Sequence, residues 1–293
     1  MSQNFILKVR NYLRLVKFEH TIFALPFAMI GFVLPLQEGD YSLSLILLLK
    51  ILLCMVFARN AAMGFNRYID RKIDAANPRT TSREIPAGKI SSGNALIFVI
   101  LNSLFFIAVT YFINPLCFYL SFVALFVVLG YSLTKRFTSL AHFVLGLGLA
   151  IAPTAAYMSV TGTISLITIL FSLIVLFWVS GFDILYSLAD EEFDREHKLH
   201  SVPQLMGRKN AMILSSVLHF LILPLLMFIY FVGGMGYIYI VGGCFFALLL
   251  LYQHLIISPK NLTKLDAAFF TTNGIASVIF SIFVIFDIII KIL

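Results

Sequence analysis

The sequence predicts an all-α polytopic membrane protein, a bundle of nine transmembrane helices with two Asp-rich cytoplasmic loops. Composition, long apolar runs and the placement of basic residues all point to this fold. Of the 293 residues, 60% are hydrophobic and 12% are charged, and the mean hydropathy is +0.98. Soluble domains carry about 25% charged residues, so an ordinary soluble enzyme is excluded. The continuous apolar runs also differ from the alternating ~10-residue segments of a β-barrel.

Nine apolar segments are long enough to cross a bilayer, which requires roughly 20 mostly apolar residues. The predicted spans are about 21–37, 43–65, 95–113, 115–133, 139–161, 163–182, 211–231, 234–257 and 267–290. The first run lacks the small-residue cleavage pattern of a signal peptide, so we expect its helix to be retained.

Basic residues alternate between the two sides of these spans. Nineteen of the 21 Lys and Arg residues lie in the N-terminal segment, near the end of span two, or in the loops after spans two, four, six and eight. The positive-inside rule then places the N-terminus and the Asp-rich loops in the cytoplasm and the C-terminus outside, in the inner (cytoplasmic) membrane. This topology accounts for the net charge of +7 without a nucleic-acid partner.

Two carboxylate motifs follow even-numbered spans, in loops expected at about 66–94 and 183–210. On a helix, Asn66, Asp70 and Asp74 share one face because they are four residues apart. A second set of side chains would fall within an arc of roughly 80° around a helix of the same geometry. This set comprises Asp183, Tyr186, Asp190 and Asp194.

The Asp-x-x-x-Asp unit recurs at a fixed offset of 120 residues, which suggests a parallel internal repeat. Half of the 14 acidic residues lie in the two segments that contain these motifs, 66–74 and 183–194. Mg²⁺ is usually held by one or two carboxylates together with substrate phosphates. The motifs therefore predict a magnesium–diphosphate site, and the alternative is a solvated, charged helix end.

These motifs resemble the UbiA superfamily of intramembrane prenyltransferases, and most of all its 4-hydroxybenzoate polyprenyltransferases. Segments 83–88, 131–136 and 152–157 resemble further family signatures, so the likeness spans nearly the whole chain. It implies one integral membrane prenyltransferase domain over residues 1–293. At position 67 this sequence has Arg, where members of the family often have Asp. This difference leaves the identity of the acceptor open.

The resemblance implies a role for each candidate site residue. Four carboxylates would bind Mg²⁺ and, through it, a polyprenyl diphosphate: Asp70, Asp74, Asp190 and Asp194. Asn66 would join the ion shell. Lys135 and Arg136 would face the diphosphate and the acceptor, although positive-inside topology alone also accounts for them. Tyr131 and Tyr186 complete the candidate catalytic residues, with Asp183 as a candidate base for the ring proton.

Arg59 is a candidate for binding the acceptor. It shares the face of Asn66 but lies roughly 10 Å deeper in span two, where an unpaired arginine is costly. An aromatic carboxylate is a natural bidentate partner, and a structural partner such as a helix C-terminus is the alternative.

The predicted activity is Mg²⁺-dependent transfer of a polyprenyl group to the ring of a hydroxylated aromatic acid in ubiquinone or menaquinone biosynthesis. The expected partners are a polyprenyl diphosphate, a small aromatic acceptor and the lipid bilayer. Alternative acceptors are a naphthoate of menaquinone synthesis, haem or a non-aromatic alcohol. A secondary transporter is a more distant alternative, although its charged site should lie near the bilayer midplane.

Overall fold

The computed structural model describes residues 2–17, 23–39, 41–258, 262, 265 and 267–293. These residues form helices joined by turns, without an extended strand. The α-helices are α1 Ser2–Leu15, α2 Leu25–Val33, α3 Leu45–Ala76, α4 Ser92–Tyr111, α5 Pro115–Thr134, α6 Ala141–Thr161, α7 Leu166–Ser187, α8 Glu191–Glu196, α9 Val202–Phe220, α10 Ile222–Val232, α11 Tyr237–Ile256 and α12 Asn273–Ile292. Short 3-10 helices follow α2 (Leu34–Glu38) and α7 (Leu188–Asp190), and a π-helix (Ala267–Thr272) precedes α12.

The chain forms two compact units. The first comprises Met1–Thr21 and Lys50–Leu133, and holds α1, α4 and most of α3 and α5. The second comprises Ile22–Leu49 and Thr134–Leu293, and holds α2 and α6 to α12.

Eight helical segments within the described residues are long and apolar enough to cross a membrane. They are Leu45–Ala76, Ser92–Tyr111, Pro115–Thr134, Ala141–Thr161, Leu166–Glu196, Val202–Val232, Tyr237–Ile256 and Phe270–Ile292. The sequence predicted nine, and the difference lies at the first span, 21–37.

Thr21 and Ile22 of that first span lie outside the described residues. The part that follows forms the shorter apolar helix Leu25–Glu38. Nine α-helical and five 3-10 residues extend about 24 Å, against a hydrocarbon thickness of about 30 Å. Pro35 in the first turn of the 3-10 segment contributes, since its ring disfavours a continuous α-helix at this point.

Aromatic packing forms the centre of the second unit. Trp178 on α7 is fully buried, with ring centroids 5.4 Å from Phe27 and 5.8 Å from Phe246. Its indole Nε1 donates a hydrogen bond of 2.8 Å to Oδ1 of the buried Asn273. The polar end of the largest core side chain is thereby satisfied, which avoids the cost of an unpaired buried donor.

Close helix contact around α6 depends on glycine. A Cβ placed on Gly146 would collide with Ser180 and Leu176 of α7, and one on Gly31 would collide with the backbone of Pro153. Small residues allow helix backbones to approach closely in membrane proteins.

Helices extend into both predicted Asp-rich loops, which corrects the boundaries of 66–94 and 183–210. Helix α3 continues to Ala76, so the whole first motif is helical. The break comes at Asn77, because a residue before proline disfavours the α conformation. The second motif runs through the end of α7, the 3-10 turn and α8.

Candidate active site

The first motif lies along the last turns of α3. Asn66 and Asp70 are half-buried, and Asn66 Nδ2 donates a hydrogen bond of 3.0 Å to Asp70 Oδ2. The four-residue spacing therefore brings the two side chains together on one helix face, as the sequence predicted.

Asp74, one helical turn further, is buried and paired with Arg83. Arg83 Nη1 lies 2.6 Å from Asp74 Oδ1. A series of turns after α3 returns the chain to this point, where Thr80 Oγ1 donates to the Asp74 carbonyl at 2.9 Å. The other carboxylate oxygen, Asp74 Oδ2, is buried without a hydrogen-bond partner among the described residues. Such an atom is costly unless a cation or ligand completes its contacts.

Two arginines of α3 lie in the same unit. Arg67 is 4% exposed, its charge interacts with Asp74 and Glu84, and its Nε has no hydrogen-bond partner among the described residues. Arg59 donates from Nη2 to the carbonyl of Lys17, just beyond the end of α1, at 3.1 Å.

The contact with Lys17 corresponds to the alternative role for Arg59, in which it binds a structural partner and not the acceptor. The Nε of Arg59, however, has no hydrogen-bond partner in the described part of the chain. Tyr131, half-buried on α5, is an electrostatic neighbour of both Arg59 and Arg67. The first unit therefore gathers Arg59, Arg67 and Tyr131 in one neighbourhood, with Asp74 next to Arg67.

Lys135 and Asp194 form an ion pair in the second unit. Lys135 lies in the turn after α5, and its Nζ is 2.7 Å from Oδ1 of Asp194 on α8. Asp194 is 0% exposed, and its Oδ2 has no hydrogen-bond partner within the described residues. The backbone N–H of His200 donates to the Lys135 carbonyl at 2.8 Å, which ties this turn to the segment after α8.

The remaining candidates of the second unit lie near the same helix ends. Arg136 follows Lys135 in its turn and is half-buried. Tyr186 and Asp190 are half-buried at the end of α7 and in the 3-10 turn. Asp183, also on α7, accepts a hydrogen bond of 2.6 Å at Oδ2 from His142 Nδ1.

Comparison with known proteins identifies the chain. The family model described as "UbiA prenyltransferase family" matches residues 24–275. The chain belongs to the UbiA prenyltransferase family. This membership confirms both the resemblance inferred from the two carboxylate motifs and the predicted enzyme class, prenyltransferase.

Curated relatives of the UbiA family align over most of this chain. A protein of Tolumonas auensis named 4-hydroxybenzoate octaprenyltransferase is 31% identical over 235 residues, which cover 80% of this chain and 82% of that protein. A protein of Vibrio parahaemolyticus with the same name is 28% identical over 240 residues, covering 79% of this chain and 81% of that protein.

Solved UbiA structures share the fold. The apo structure of a UbiA homologue from Aeropyrum pernix K1 is 29% identical, with a TM-score of 0.79, and the match covers 94% of this chain and 98% of that one. A UbiA homologue from Archaeoglobus fulgidus bound to DMAPP and Mg²⁺ is 20% identical, with a TM-score of 0.71 and coverage of 96% and 99%. At this identity the second comparison supports the fold alone.

Sequence reasoning missed several partners of the UbiA motifs. Glu191 is buried and accepts hydrogen bonds of 2.7 Å from both Arg195 and Arg208, so α8 is fastened to α9 beside Asp190. The contact of His142 with Asp183 carried no sequence signal, because the histidines show no ligand spacing. Arg83 lies in segment 83–88, which resembles a family signature. That resemblance was the sequence signal for its position beside the first motif.

The described residues contain no group of three or more His, Cys, Asp or Glu side chains gathered as a metal site. Mg²⁺ does not require such a group, because it usually retains waters and binds one or two carboxylates plus substrate phosphates. The unpartnered oxygens of Asp74 and Asp194 fit this mode of binding in each unit.

Proposed function

We propose that this UbiA-family enzyme transfers a polyprenyl group from a polyprenyl diphosphate to the ring of a hydroxylated aromatic acid similar to 4-hydroxybenzoate, in quinone biosynthesis. The names of the curated relatives support this acceptor class. The DMAPP and Mg²⁺ bound to the Archaeoglobus fulgidus homologue suggest the donor class and the ion. We also take residues 1–293 to act as a single prenyltransferase domain.

One observation carries the proposal. Asp74 and Asp194 occupy the last position of the two repeated motifs, and both are buried with one carboxylate oxygen left without a partner among the described residues. A solvated helix end would expose these carboxylates to water. A buried carboxylate oxygen that lacks a partner is instead typical of a site that takes up a cation.

The proposed ligands of Mg²⁺ are Asp70 and Asp74 in the first unit, with Asn66 beside them, and Asp190 and Asp194 in the second unit. Mg²⁺ bound at either pair with a diphosphate would neutralise negative charge on the leaving group. Lys135 and Arg136 would add fixed positive charge for the same group, and Tyr131 and Tyr186 would add hydroxyl donors. Preorganised cations and donors of this kind stabilise charge as it develops in the transition state.

In the proposed reaction, the allylic C–O bond of the donor breaks and diphosphate leaves with the electron pair. A ring carbon ortho to the acceptor hydroxyl forms the new C–C bond with the prenyl cation, and the proton at that carbon passes to Asp183. Arg59 would hold the carboxylate of the acceptor through its planar guanidinium, which matches carboxylate geometry.

We further propose that the segment around α2 supplies the ninth crossing, so that the N-terminus and both motifs lie in the cytoplasm and the C-terminus outside. The clustering of basic residues on alternate loops supports this orientation. The polyprenyl tail would remain in the lipid bilayer. Labelling of single cysteines at the N-terminus and after Leu293 with an impermeant thiol reagent in spheroplasts tests it, since opposite accessibility is expected at the two ends.

The activity is tested by offering purified protein one radiolabelled polyprenyl diphosphate with a panel of acceptors and analysing products by mass spectrometry. We expect a prenylated aromatic acid that retains its carboxylate. Product only from a naphthoate would assign the chain to menaquinone synthesis. Failure to form a prenylated product with any aromatic acid would contradict the proposed acceptor class.

A further inference from the structure

His142, on the first turn of α6, is buried and contacts two other helices. Its Nδ1 lies 2.6 Å from Oδ2 of Asp183 on α7, and its Nε2 lies 3.3 Å from the backbone nitrogen of Val202. Val202 is the first residue of α9, where backbone N–H groups have no partner inside the helix. The imidazole therefore joins the helix that carries Asp183 to the helix that follows the second motif.

The Val202 contact determines which nitrogen of His142 carries the proton. A backbone N–H can only donate, so Nε2 must accept and is unprotonated. The remaining ring proton of a neutral imidazole then resides on Nδ1, which donates to Asp183. Because the Nε2 lone pair is already engaged with Val202, His142 is not available as a base itself.

This arrangement leaves Asp183 with one engaged oxygen and one open oxygen. Its side chain is 23% exposed, Oδ2 accepts from His142, and Oδ1 has no hydrogen-bond partner among the described residues. A carboxylate held at one oxygen cannot rotate freely, so the direction of the other oxygen is determined by the histidine.

We infer that His142 is a positioning residue for proton removal: it holds Asp183 through Oδ2, so that Oδ1 can accept the ring proton of the acceptor. The inference rests on the proposed function, in which Asp183 is the base. A base must lie within hydrogen-bond reach of the proton that it removes, and small displacements of a catalytic group are costly in rate. The same role explains why a buried histidine is placed between three helix ends.

Two substitutions separate this role from simple anchoring of α9. In His142→Asn, the amide nitrogen is attached at the position of Nδ1 and can still donate to Asp183, but the contact with Val202 is lost. In His142→Gln, the longer amide can accept from Val202, but the donor at the Nδ1 position is lost. Steady-state kinetics with a polyprenyl diphosphate and the best aromatic acid, together with thermal unfolding in detergent, measure both variants.

If His142 positions Asp183, His142→Gln should lower kcat by about 10- to 100-fold, as expected for loss of one hydrogen bond to a charged group. The KM values of both substrates should change little, and His142→Asn should recover most of the lost kcat. In the Asp183→Asn background, His142→Gln should add no further loss, because the two residues would act as a unit.

The opposite result overturns the inference: if His142→Gln is active and His142→Asn is inactive, the histidine serves only to anchor α9. Equal loss of thermal stability and of kcat in both variants would likewise show a purely structural residue. A normal kcat for Asp183→Asn would remove Asp183 as the base, and the role of His142 with it. These outcomes differ from failure of the proposed function, in which the unaltered protein forms no prenylated product.

Discussion

The Nζ of Lys135 lies 2.7 Å from Oδ1 of Asp194, whose side chain is completely buried. Removal of the Asp194 charge from water costs several kcal/mol, and one contact with the half-buried Lys135 offsets only part of this cost. Asp194 Oδ2 has no hydrogen-bond partner in the described part of the chain, so only one of the two carboxylate oxygens is compensated for its burial. A second cation beside Asp194 would complete it, which connects the ion pair to the proposed magnesium site.

Lys135→Met should therefore destabilise the protein, because it leaves the buried Asp194 charge without its partner, but by less than the roughly 3–5 kcal/mol of a fully buried pair, since Lys135 is 35% exposed. Thermal unfolding in detergent measures the loss. The double variant Lys135→Met/Asp194→Asn removes both charges and should regain most of the stability. Added Mg²⁺ should stabilise Lys135→Met more than the unaltered protein, since it can supply the missing positive charge. An unchanged unfolding temperature in the single variant would contradict this account.

Chelation should abolish turnover, and added Mg²⁺ should restore it. Metal ions supply several kcal/mol of charge stabilisation in such reactions, so Asp74→Asn should reduce kcat by at least about 100-fold. Asparagine preserves the size of the side chain but lacks the charge. Product formation from radiolabelled polyprenyl diphosphate gives the rate.

The matched control for Asp74→Asn is Glu196→Gln, a charge-neutralising change at an exposed position at the end of α8. It should leave both the rate and the Mg²⁺ requirement unchanged. Full activity after thorough chelation, or a normal rate in Asp74→Asn, would show that the motif is a charged helix end without a metal.

The carboxylate motifs were predictable because a spacing of four residues places side chains on one helix face wherever the helix lies. The partners of those carboxylates were not predictable in this way. Asp74 meets Arg83 only because turns return the chain beside α3, and His142 meets Asp183 across 41 residues because α6 and α7 pack together. Helical periodicity carries no information about such contacts.

A hydropathy pattern likewise does not determine the number of membrane crossings. The run at 21–37 is apolar enough for a span, but its described part forms a short α-helix followed by a 3-10 segment that contains Pro35. The opposite error occurred at the motifs, where polar residues suggested loops. There α3 continued to Ala76, because Arg, Lys and Ala are favourable in helices despite their polarity or small size.

Gly146 should tolerate no larger residue, because α7 lies directly against it. Gly146→Ala should destabilise the protein by about 1–3 kcal/mol through overpacking. Gly130 on α5 is the control, since a Cβ there meets no atom within 4 Å and alanine should be neutral or stabilising by up to about 1 kcal/mol. Unfolding temperatures of the two variants in detergent make the comparison. Equal values would mean that α6 and α7 are not packed this closely.

Arg59 permits a test of the acceptor class. One of its nitrogens donates to the Lys17 carbonyl, while its Nε has no hydrogen-bond partner among the described residues, so part of the guanidinium is left for a ligand. Arg59→Lys retains the charge and can still reach a carbonyl, but it loses the planar pair of donors that fits a carboxylate. The KM of the aromatic acid should rise while that of the polyprenyl diphosphate changes little.

The lost hydrogen-bond geometry corresponds to about 1–3 kcal/mol, or roughly one to two decades in kcat/KM for the acid. Phenol analogues without the carboxylate provide the control: they should be poor substrates of the unaltered enzyme and lose little more in Arg59→Lys. If the acid and the phenol react equally well, or if the substitution weakens only the diphosphate, Arg59 does not bind a carboxylate. A variant that loses thermal stability but keeps both KM values would show that Arg59 acts only through its structural contact with Lys17, just beyond the end of α1.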